Sequence, residues 1–402
     1  MELFNYNPKS SESIIAYSKQ LFNKTLRDVC KEEIEKHNFS GKGNFGQILE
    51  KFYFGYNPNS DSEADFVDAG IELKSSPLKE LKNGQFQAKE RLVLNIINYM
   101  NVHSENFDES SFWKKNAHLL LIFYLYEKDL NILDLTIRLV DGWKFPTDDL
   151  EIIKSDWLLI QQKIIDGKAH ELSEGDTFYL GACTKGSTAE KSFREQPFNT
   201  QKAKQRAFSL KQGYVNNIIA KIADRNIELT NYAHEEQHRY GKHSKPAQRI
   251  IKNPIEQFVD ERFAHFIGRP SLDLIDELGI KTSSNAIKQI NALIVKAILG
   301  ISPKDELEEF KKAEIEIKAI RVQANNKIKE SISFPAFQFT ELYNDSWITS
   351  DFKERLEKKF LFVFFKEVNG EYFMEKVTFW NMPFEDRNEC RKVWLKMKRI
   401  VQ

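Results

Sequence analysis

The stretch Ala64-Asp65-Phe66-Val67-Asp68-Ala69-Gly70-Ile71-Glu72-Leu73-Lys74 decides how this chain is interpreted. It contains an acid, a gap of six residues and then Glu-x-Lys. The end of the stretch is expected to form a short strand over residues 71–75, in which Glu72 and Lys74 point to the same face. A turn at Gly70 would then bring the carboxylate of Asp65 beside that of Glu72.

Two carboxylates with a lysine beside them suit the Mg²⁺-dependent hydrolysis of a phosphodiester bond. Mg²⁺ prefers oxygen ligands and keeps positions for water and phosphate. It lowers the pKa of its water and neutralises charge on the phosphate, while a lysine can orient the attacking water and stabilise the phosphoryl oxygens. The same pattern also occurs as a solvated strand face in charged chains, and 29% of these residues are charged.

Composition limits the possible partners and compartments. A length of 402 residues predicts two domains. Lys+Arg and Asp+Glu are both 59, so a nucleic-acid site would have to be a local basic patch. The three cysteines are far apart, which indicates neither a disulfide framework nor a zinc site. No signal peptide and no run of ~20 apolar residues is visible, so we expect a cytoplasmic protein without membrane association.

Helical and strand patterns alternate in the first half. Helices are expected at 10–36, 45–55 and 146–164, and strands at 91–99, 118–126 and 134–140, as in an α/β or α+β core. Glu50 is the only acid in the second helix, either at the surface or turned towards Asp65 and Glu72 as a third carboxylate. Lys115 lies just before the apolar strand, either solvated or at the mouth of the sheet.

Two polar regions follow. Residues 196–223 contain no acid, which indicates either a phosphate-facing strip or a solvated basic face; the basic residues there are Lys202, Lys204, Arg206, Lys211 and Lys221. Residues 226–254 are expected to form a linker. Its three histidines, His234, His238 and His243, are expected to be solvated there rather than to bind a metal.

The second half repeats the order of the first. Residues 309–318 (EFKKAEIEIK) match residues 65–74 (DFVDAGIELK), and Trp380 and Trp394 repeat the spacing of Trp143 and Trp157. Val295 stands opposite Glu50, and Leu356 stands opposite Lys115. The set Glu309, Glu316 and Lys318 survives, in a stretch so charged that it could equally be a helix surface. We therefore expect a second domain with a decayed site.

Four motifs together resemble the MutH-like endonucleases. They are residues 45–50 (FGQILE), 65–74, 107–115 (FDESSFWKK) and 206–211 (RAFSLK). That family includes a mismatch-repair nicking enzyme and type II restriction enzymes that cut at GATC, and the two-copy layout is similar to the restriction branch. The resemblance implies an α/β (α+β) restriction-endonuclease-like core of the PD-(D/E)xK type in two tandem related domains. These would be a catalytic domain at 1–225, a polar linker at 226–250 and a regulatory or DNA-binding domain at 251–402.

The resemblance also assigns roles to residues. It places the metal carboxylates at Glu50, Asp65 and Glu72, and the catalytic lysines at Lys74 and Lys115, with Lys114 as the alternative if the loop shifts by one. It places DNA contacts at Lys185, Arg206, Ser209 and Lys211, with Lys185 reading guanine. The nicking enzyme carries a tyrosine at the position of Ser209 and an arginine near Cys183, so base readout differs in detail.

The implied activity is Mg²⁺-dependent double-strand cleavage of DNA at GATC, by in-line attack that leaves 5′-phosphate and 3′-hydroxyl ends. A palindromic site further predicts a dimer induced by DNA, because one active site per chain cuts one strand. The alternatives are a MutH-like enzyme that nicks at GATC and a non-catalytic DNA-binding regulator.

Overall fold

The computed structural model describes residues 5–30, 44–57, 63–184, 192–228, 252–281, 287–302, 305–328, 331, 334 and 336–402. The α-helices are α1 Ser11–Ser18, α2 Leu26–Val29, α3 Asn44–Ile48, α4 Tyr99–Val102, α5 Ser111–Asn116, α6 Thr147–Ile165, α7 Gln212–Glu228, α8 Pro254–Phe263, α9 Ser271–Glu277, α10 Ile287–Ile298, α11 Glu308–Ala313, α12 Phe339–Asn344, α13 Asp351–Leu356 and α14 Phe384–Val401. The strands are β1 Glu72–Glu80, β2 Phe86–Ala88, β3 Leu92–Ile96, β4 His118–Leu125, β5 Ile137–Lys144, β6 Leu180–Thr184, β7 Phe193–Gln196, β8 Asn199–Lys204, β9 Arg206–Leu210, β10 Glu316–Val322, β11 Lys359–Val368 and β12 Glu371–Asn381.

The chain divides into two compact units. The first comprises Met1–Leu150 and Ala207–Ile250, and the second comprises Glu151–Arg206 and Ile251–Gln402. The units therefore differ from the predicted domains for residues 151–206, which the sequence assigned to the first domain. These residues pack with the second unit through buried polar contacts; for example, Lys359 donates to the carbonyl of Asp176.

A mixed sheet forms the centre of the first unit, in the strand order β2-β1-β4-β5. β1 runs parallel to β4, and β5 runs antiparallel to β4. β4 is almost wholly buried, as its apolar sequence predicts. Its neighbour β1 carries Glu72 and Lys74, so the motif lies on an inner strand of the sheet.

The predicted helix at 10–36 is wrong in one respect, because it is interrupted. α1 continues as a 3₁₀ turn at Lys19–Leu21, and α2 begins only at Leu26. Asn23 between them has a φ of 57° and donates its N–H to the carbonyl of Ile137 at 2.8 Å. The backbone there bonds to the chain at the start of β5, so it cannot complete helical hydrogen bonds.

The second unit repeats the central sheet. β10 runs parallel to β11, and β12 runs antiparallel to β11. Glu316 lies opposite Phe360 just as Glu72 lies opposite Leu119, and Trp380 pairs with Phe360 as Trp143 pairs with Leu119. The predicted internal repeat is thus confirmed in strand order, direction and register.

No helix in the described ranges has the length and apolar character that crossing a membrane requires.

Candidate active site

A tight hairpin joins the two acidic parts of the motif. Gly70 has a φ of 62°, in the left-handed region that glycine adopts without strain. It closes a 3₁₀ turn at Val67–Ala69, and the N–H groups of Phe66 and Ile71 each bond to the other residue's carbonyl, at 3.0 and 3.3 Å. The predicted turn at Gly70 is therefore present, and it returns the chain so that Asp65 lies beside β1.

The carboxylates of Asp65 and Glu72 each accept a backbone N–H group from across the hairpin. The N–H of Asp65 donates to Oε2 of Glu72 at 3.1 Å, and the N–H of Leu73 donates to Oδ2 of Asp65 at 2.9 Å. These two bonds fix both side chains on one face of β1. Glu72 is nearly inaccessible to solvent, with 2% of its surface exposed.

Two ammonium groups approach Glu72 from different elements. Lys74 Nζ lies 2.5 Å from Oε1 of Glu72, and Lys115 Nζ lies 3.7 Å from the same oxygen. Lys115 is in the last turn of α5, a helix whose N-terminus is capped by the side chain of Ser110. Lys114 is exposed, so its position favours Lys115 over the predicted alternative.

Glu50 reaches the site from a distorted helix. α3 passes into a π-helical turn at Leu49–Tyr53, which contains Glu50; such turns are frequent at functional sites. A methyl group at Gly46 would lie 3.2 Å from Oγ of Ser75 and 3.8 Å from Oε1 of Glu50. The absence of a side chain at Gly46 therefore lets this helix lie close over β1, and the carboxyl of Glu50 lies above the strand.

Burial and mutual repulsion perturb the acids. Burial raises the pKa of Glu50 to about 7, and the charges of Asp65 and Glu72 add to the rise while the lysines oppose it. Burial also raises the pKa of Glu72 to about 7, against the opposing effect of Lys74. Groups of like charge are thus crowded in a partly desolvated site, which is typical of functional sites.

Sequence reasoning missed Tyr56. Its hydroxyl is buried and has no hydrogen-bond partner among the described residues. Burial, followed by the charges of Asp65, Glu50 and Glu72, raises the pKa of Tyr56 well above its usual value. The charges of all three acids therefore act on the phenol. The only sequence signal was its position six residues after Glu50.

The donor set suits a hard divalent cation, since Glu50, Asp65 and Glu72 offer only carboxylate oxygens. Within the described ranges, however, no three Asp, Glu, His or Cys side chains are already gathered as a metal site. Oxygens of Asp65 and Glu72 accept backbone N–H groups instead. The carboxylate oxygens and the concentration of negative charge therefore suit a divalent metal. The three carboxylates do not, however, form a complete set of ligands around one point.

The predicted DNA-contacting residues are not gathered in the same way. Lys185 lies outside the described residues, as do the three linker histidines. Arg206, Ser209 and Lys211 are buried, and the guanidinium of Arg206 donates to the carbonyl of Ala182 at 2.5 Å. Their burial disagrees with the expectation that these side chains face DNA, because a phosphate or base can be contacted only at an accessible surface.

The equivalent positions of the second unit keep two of the three acids and one of the two lysines. Val295 is fully buried in α10, and Leu356 is buried at the end of α13. Glu309 is exposed on α11, whereas Glu316 and Lys318 lie on β10. Residues 309–318 were expected to form either a helix surface or a strand like that of residues 65–74. The first part lies on the surface of a helix, and the second part forms a strand. Only Glu316 and Lys318 keep the placement of their counterparts in β1.

Comparisons with known proteins identify the family of the chain. The family described as the DNA mismatch repair enzyme MutH matches residues 54–156 and 299–392, one segment in each half. The type II restriction enzyme Sau3AI of Staphylococcus aureus is 40% identical over 374 residues, covering 88% of this chain and 73% of the relative. The mismatch repair protein MutH of Shewanella amazonensis is 27% identical over 33% of this chain and 57% of its own length. MutH of Vibrio campbellii is 24% identical over 45% of this chain and 78% of its own. With its doubled sheet and its acid-and-lysine cluster, the chain belongs to the MutH-like family of type II restriction endonucleases.

Proposed function

We propose that the chain uses Mg²⁺ to cut both strands of DNA at GATC. The observation that carries this proposal is the cluster at Glu72. Its carboxylate pairs with Lys74 and Lys115 and accepts the N–H of Asp65. The charges of Asp65 and Glu72 also act on Glu50. The similarity to the type II restriction enzyme Sau3AI supports double-strand cleavage over nicking. The MutH relatives support action on DNA.

Glu50, Asp65 and Glu72 would hold the metal, because they are the carboxylates whose charges affect one another in this site. Bound Mg²⁺ supplies charge neutralisation at the phosphate and a lowered pKa for a coordinated water. The protein's own side chains would orient the attacking water and stabilise the charge that builds on the phosphate.

Lys74 would orient the attacking water and donate to the phosphoryl oxygens as charge builds there. Its ammonium is 2.5 Å from Glu72 and has 16% of its side chain exposed, so it is held in place yet reachable. Lys115, at 3.7 Å from the same carboxylate, would contact the phosphate. Two cations from separate elements position the scissile group better than one flexible side chain would.

Lys185 would contact the guanine of GATC, because lysine can donate hydrogen bonds to guanine O6 and N7 in the major groove. The second unit is proposed as a DNA-holding domain with no catalysis of its own. Two chains would meet on the palindrome, since each chain contributes one cluster of catalytic type.

Incubation of unmethylated plasmid with Mg²⁺ tests the proposal. The wild-type protein should give discrete double-strand cuts that map to GATC, and no cuts in a plasmid without that sequence. Glu72→Gln should lose the cuts, while Glu80→Gln, at the exposed end of the same strand, should keep them.

Other outcomes favour the alternatives. Nicks alone would favour a nicking enzyme, and retention of GATC DNA on a gel without cleavage would favour a binding regulator. Gel filtration with and without a GATC duplex tests the dimer; a monomer on DNA that still makes double-strand breaks would contradict it.

A further inference from the structure

The turn that carries Glu50 is wider than an α-helical turn. The N–H of Phe54 donates to the carbonyl of Leu49 at 2.9 Å, whereas an α-helix would pair it with the carbonyl of Glu50. The carbonyl of Glu50 instead accepts the N–H of Tyr56 at 3.0 Å, across Gly55 with its φ of 79°. Closing this turn as an α-helix would shift its register by one residue, or about 100° of rotation. Glu50 would then point in a different direction relative to the chain that follows it.

Tyrosine hydroxyls hold the end of this turn, where the last carbonyls of a helix lack partners within it. Tyr6 donates its hydroxyl to the carbonyl of Phe54 at 2.9 Å, and the hydroxyl of Tyr17 on α1 lies 3.5 Å from the carbonyl of Tyr53. In return, the hydroxyl of Tyr53 donates to the carbonyl of Tyr17 at 2.8 Å. Tyr6, Tyr17 and Tyr53 thus form a tyrosine clamp between the region of α1 and the wide turn.

The ring of Tyr6 connects the clamp to the hairpin of the motif. The three clamp rings are stacked, with neighbouring centroids 5.0 and 4.6 Å apart. Tyr6 and Phe54 both lie edge-on to Phe66, at 6.2 and 5.3 Å. Phe66 directly follows Asp65 in the chain. The clamp therefore contacts both the turn that carries Glu50 and the hairpin that carries Asp65.

Burial makes the clamp selective for the wide turn. Only 9% of Tyr6 is exposed, and a buried hydroxyl without an acceptor costs free energy. Burial raises the pKa of Tyr6 to about 12 and that of Tyr53 well above its usual value, so both phenols keep their protons and donate. Irregular backbone of this kind persists where the surrounding contacts determine it. The clamp supplies such contacts, because its donors find their acceptors at the end of the wide turn.

We propose that Tyr6, Tyr17 and Tyr53 are positioning residues that keep the carboxylates of Glu50 and Asp65 at the spacing that metal binding requires. They act through the backbone of the turn and through Phe66, rather than by contact with the metal or with DNA. The inference rests on the proposed function, in which both acids hold the metal. All three tyrosines lie outside the four motifs on which the family resemblance depends.

Binding of Mn²⁺ to the protein without DNA tests the clamp, with electron paramagnetic resonance as the readout. Tyr6→Phe removes one hydroxyl and keeps the stacked ring. We expect the affinity for Mn²⁺ to fall by about tenfold, as for other residues that orient metal ligands. Glu50→Gln should abolish the same Mn²⁺ site and so identifies it. Tyr126→Phe is the matched control, because Tyr126 is 40% exposed beyond the end of β4; it should bind Mn²⁺ like the wild type.

The Mg²⁺ dependence of plasmid cleavage separates positioning from a general loss of structure. Tyr6→Phe should need about tenfold more Mg²⁺ for half-maximal cleavage, and saturating Mg²⁺ should restore the rate. Tyr53→Phe, which removes the bond to the carbonyl of Tyr17, should shift the Mg²⁺ requirement in the same direction. A merely structural role would lower the cleavage rate at every Mg²⁺ concentration.

Two results would overturn the inference: an unchanged affinity for Mn²⁺ in either tyrosine variant, or a rate that saturating Mg²⁺ does not restore. If the wild type cuts GATC plasmids and the variants keep its Mg²⁺ requirement, the inference alone fails. If the wild type neither cuts DNA nor loses a Mn²⁺ site on Glu50→Gln, the proposed function fails with it.

Discussion

Asp156 anchors the start of β6, and its substitution should destabilise that segment. This aspartate on α6 is fully buried. Its Oδ1 accepts the N–H of Phe178 at 2.9 Å, and its Oδ2 accepts those of Tyr179 at 2.6 Å and Leu180 at 2.9 Å. The anchored chain continues as β6 to Thr184, where the predicted base-reading loop begins.

The magnitude follows from the bonds that Asp156→Asn would break. The amide oxygen can still accept from Tyr179 and Leu180, but the amide nitrogen then faces two donors, the N–H of Phe178 and the side-chain amide of Asn253. A buried donor without an acceptor costs about 1–3 kcal/mol, and the remaining bonds lose the strength that a charged acceptor gives them. We expect the free energy of unfolding to fall by about 2–4 kcal/mol.

Urea unfolding followed by tryptophan fluorescence measures this change, since Trp157 is adjacent to Asp156 and fully buried. Hydrogen exchange of residues 178–180 should rise in the same variant. Asp166→Asn is the control, because Asp166 is exposed beyond the end of α6 and its side chain bonds to Gln162; a change within about 0.5 kcal/mol is expected. An unchanged midpoint in Asp156→Asn, with residues 178–180 still protected, would refute the reasoning.

Three further predictions concern the active-site cluster. Gly70→Val should lower the free energy of unfolding by about 1–2 kcal/mol in urea titrations, because a φ of 62° strains a branched residue; no loss would contradict the tight turn. Lys115→Ala should reduce plasmid cleavage by at least about 100-fold, whereas its exposed neighbour variant Lys114→Ala should cleave normally, and the reverse result would move the role to Lys114. Without metal, the free energy of unfolding should fall as pH rises from 4.5 to about 7, because Glu50 and Glu72 keep protons in the folded state that the unfolded chain has already lost. Glu72 alone contributes about 3 kcal/mol of stability, which is present below pH 4.5 and lost above pH 7. Thermal melts at constant ionic strength measure the effect, and a melting temperature that does not change over this pH range would contradict the pKa shifts.

Local sequence was sufficient for the motif at residues 64–74. Alternation along a strand places Glu72 and Lys74 on one face whatever surrounds them, and glycine at position 70 allows the left-handed turn. These are short-range properties of the backbone. The same reasoning located the apolar β4 and the second copy of the sheet, because hydrophobic period and residue spacing survive in any context.

Long-range packing decided the rest. Glu50 was ambiguous in sequence, since only the close approach of α3 over β1, permitted by Gly46, brings its carboxyl above the strand. Arg206 was basic and therefore expected to face DNA, yet its guanidinium is buried against Ala182. Burial depends on which elements meet, and a run of charges along one segment does not reveal it.

Sequence alone determined the chemistry that this chain carries: the acids, the lysines, their order and their repetition. Tertiary structure decided which of them act together. It joined Glu50 and Lys115 to the hairpin and surrounded Glu316 with cations instead of acids. It also buried near them the hydroxyl of Tyr56, which has no hydrogen-bond partner in the described part of the chain. The reason is that pKa shifts and ion pairing depend on distance and desolvation, which arise only when separate segments pack against each other.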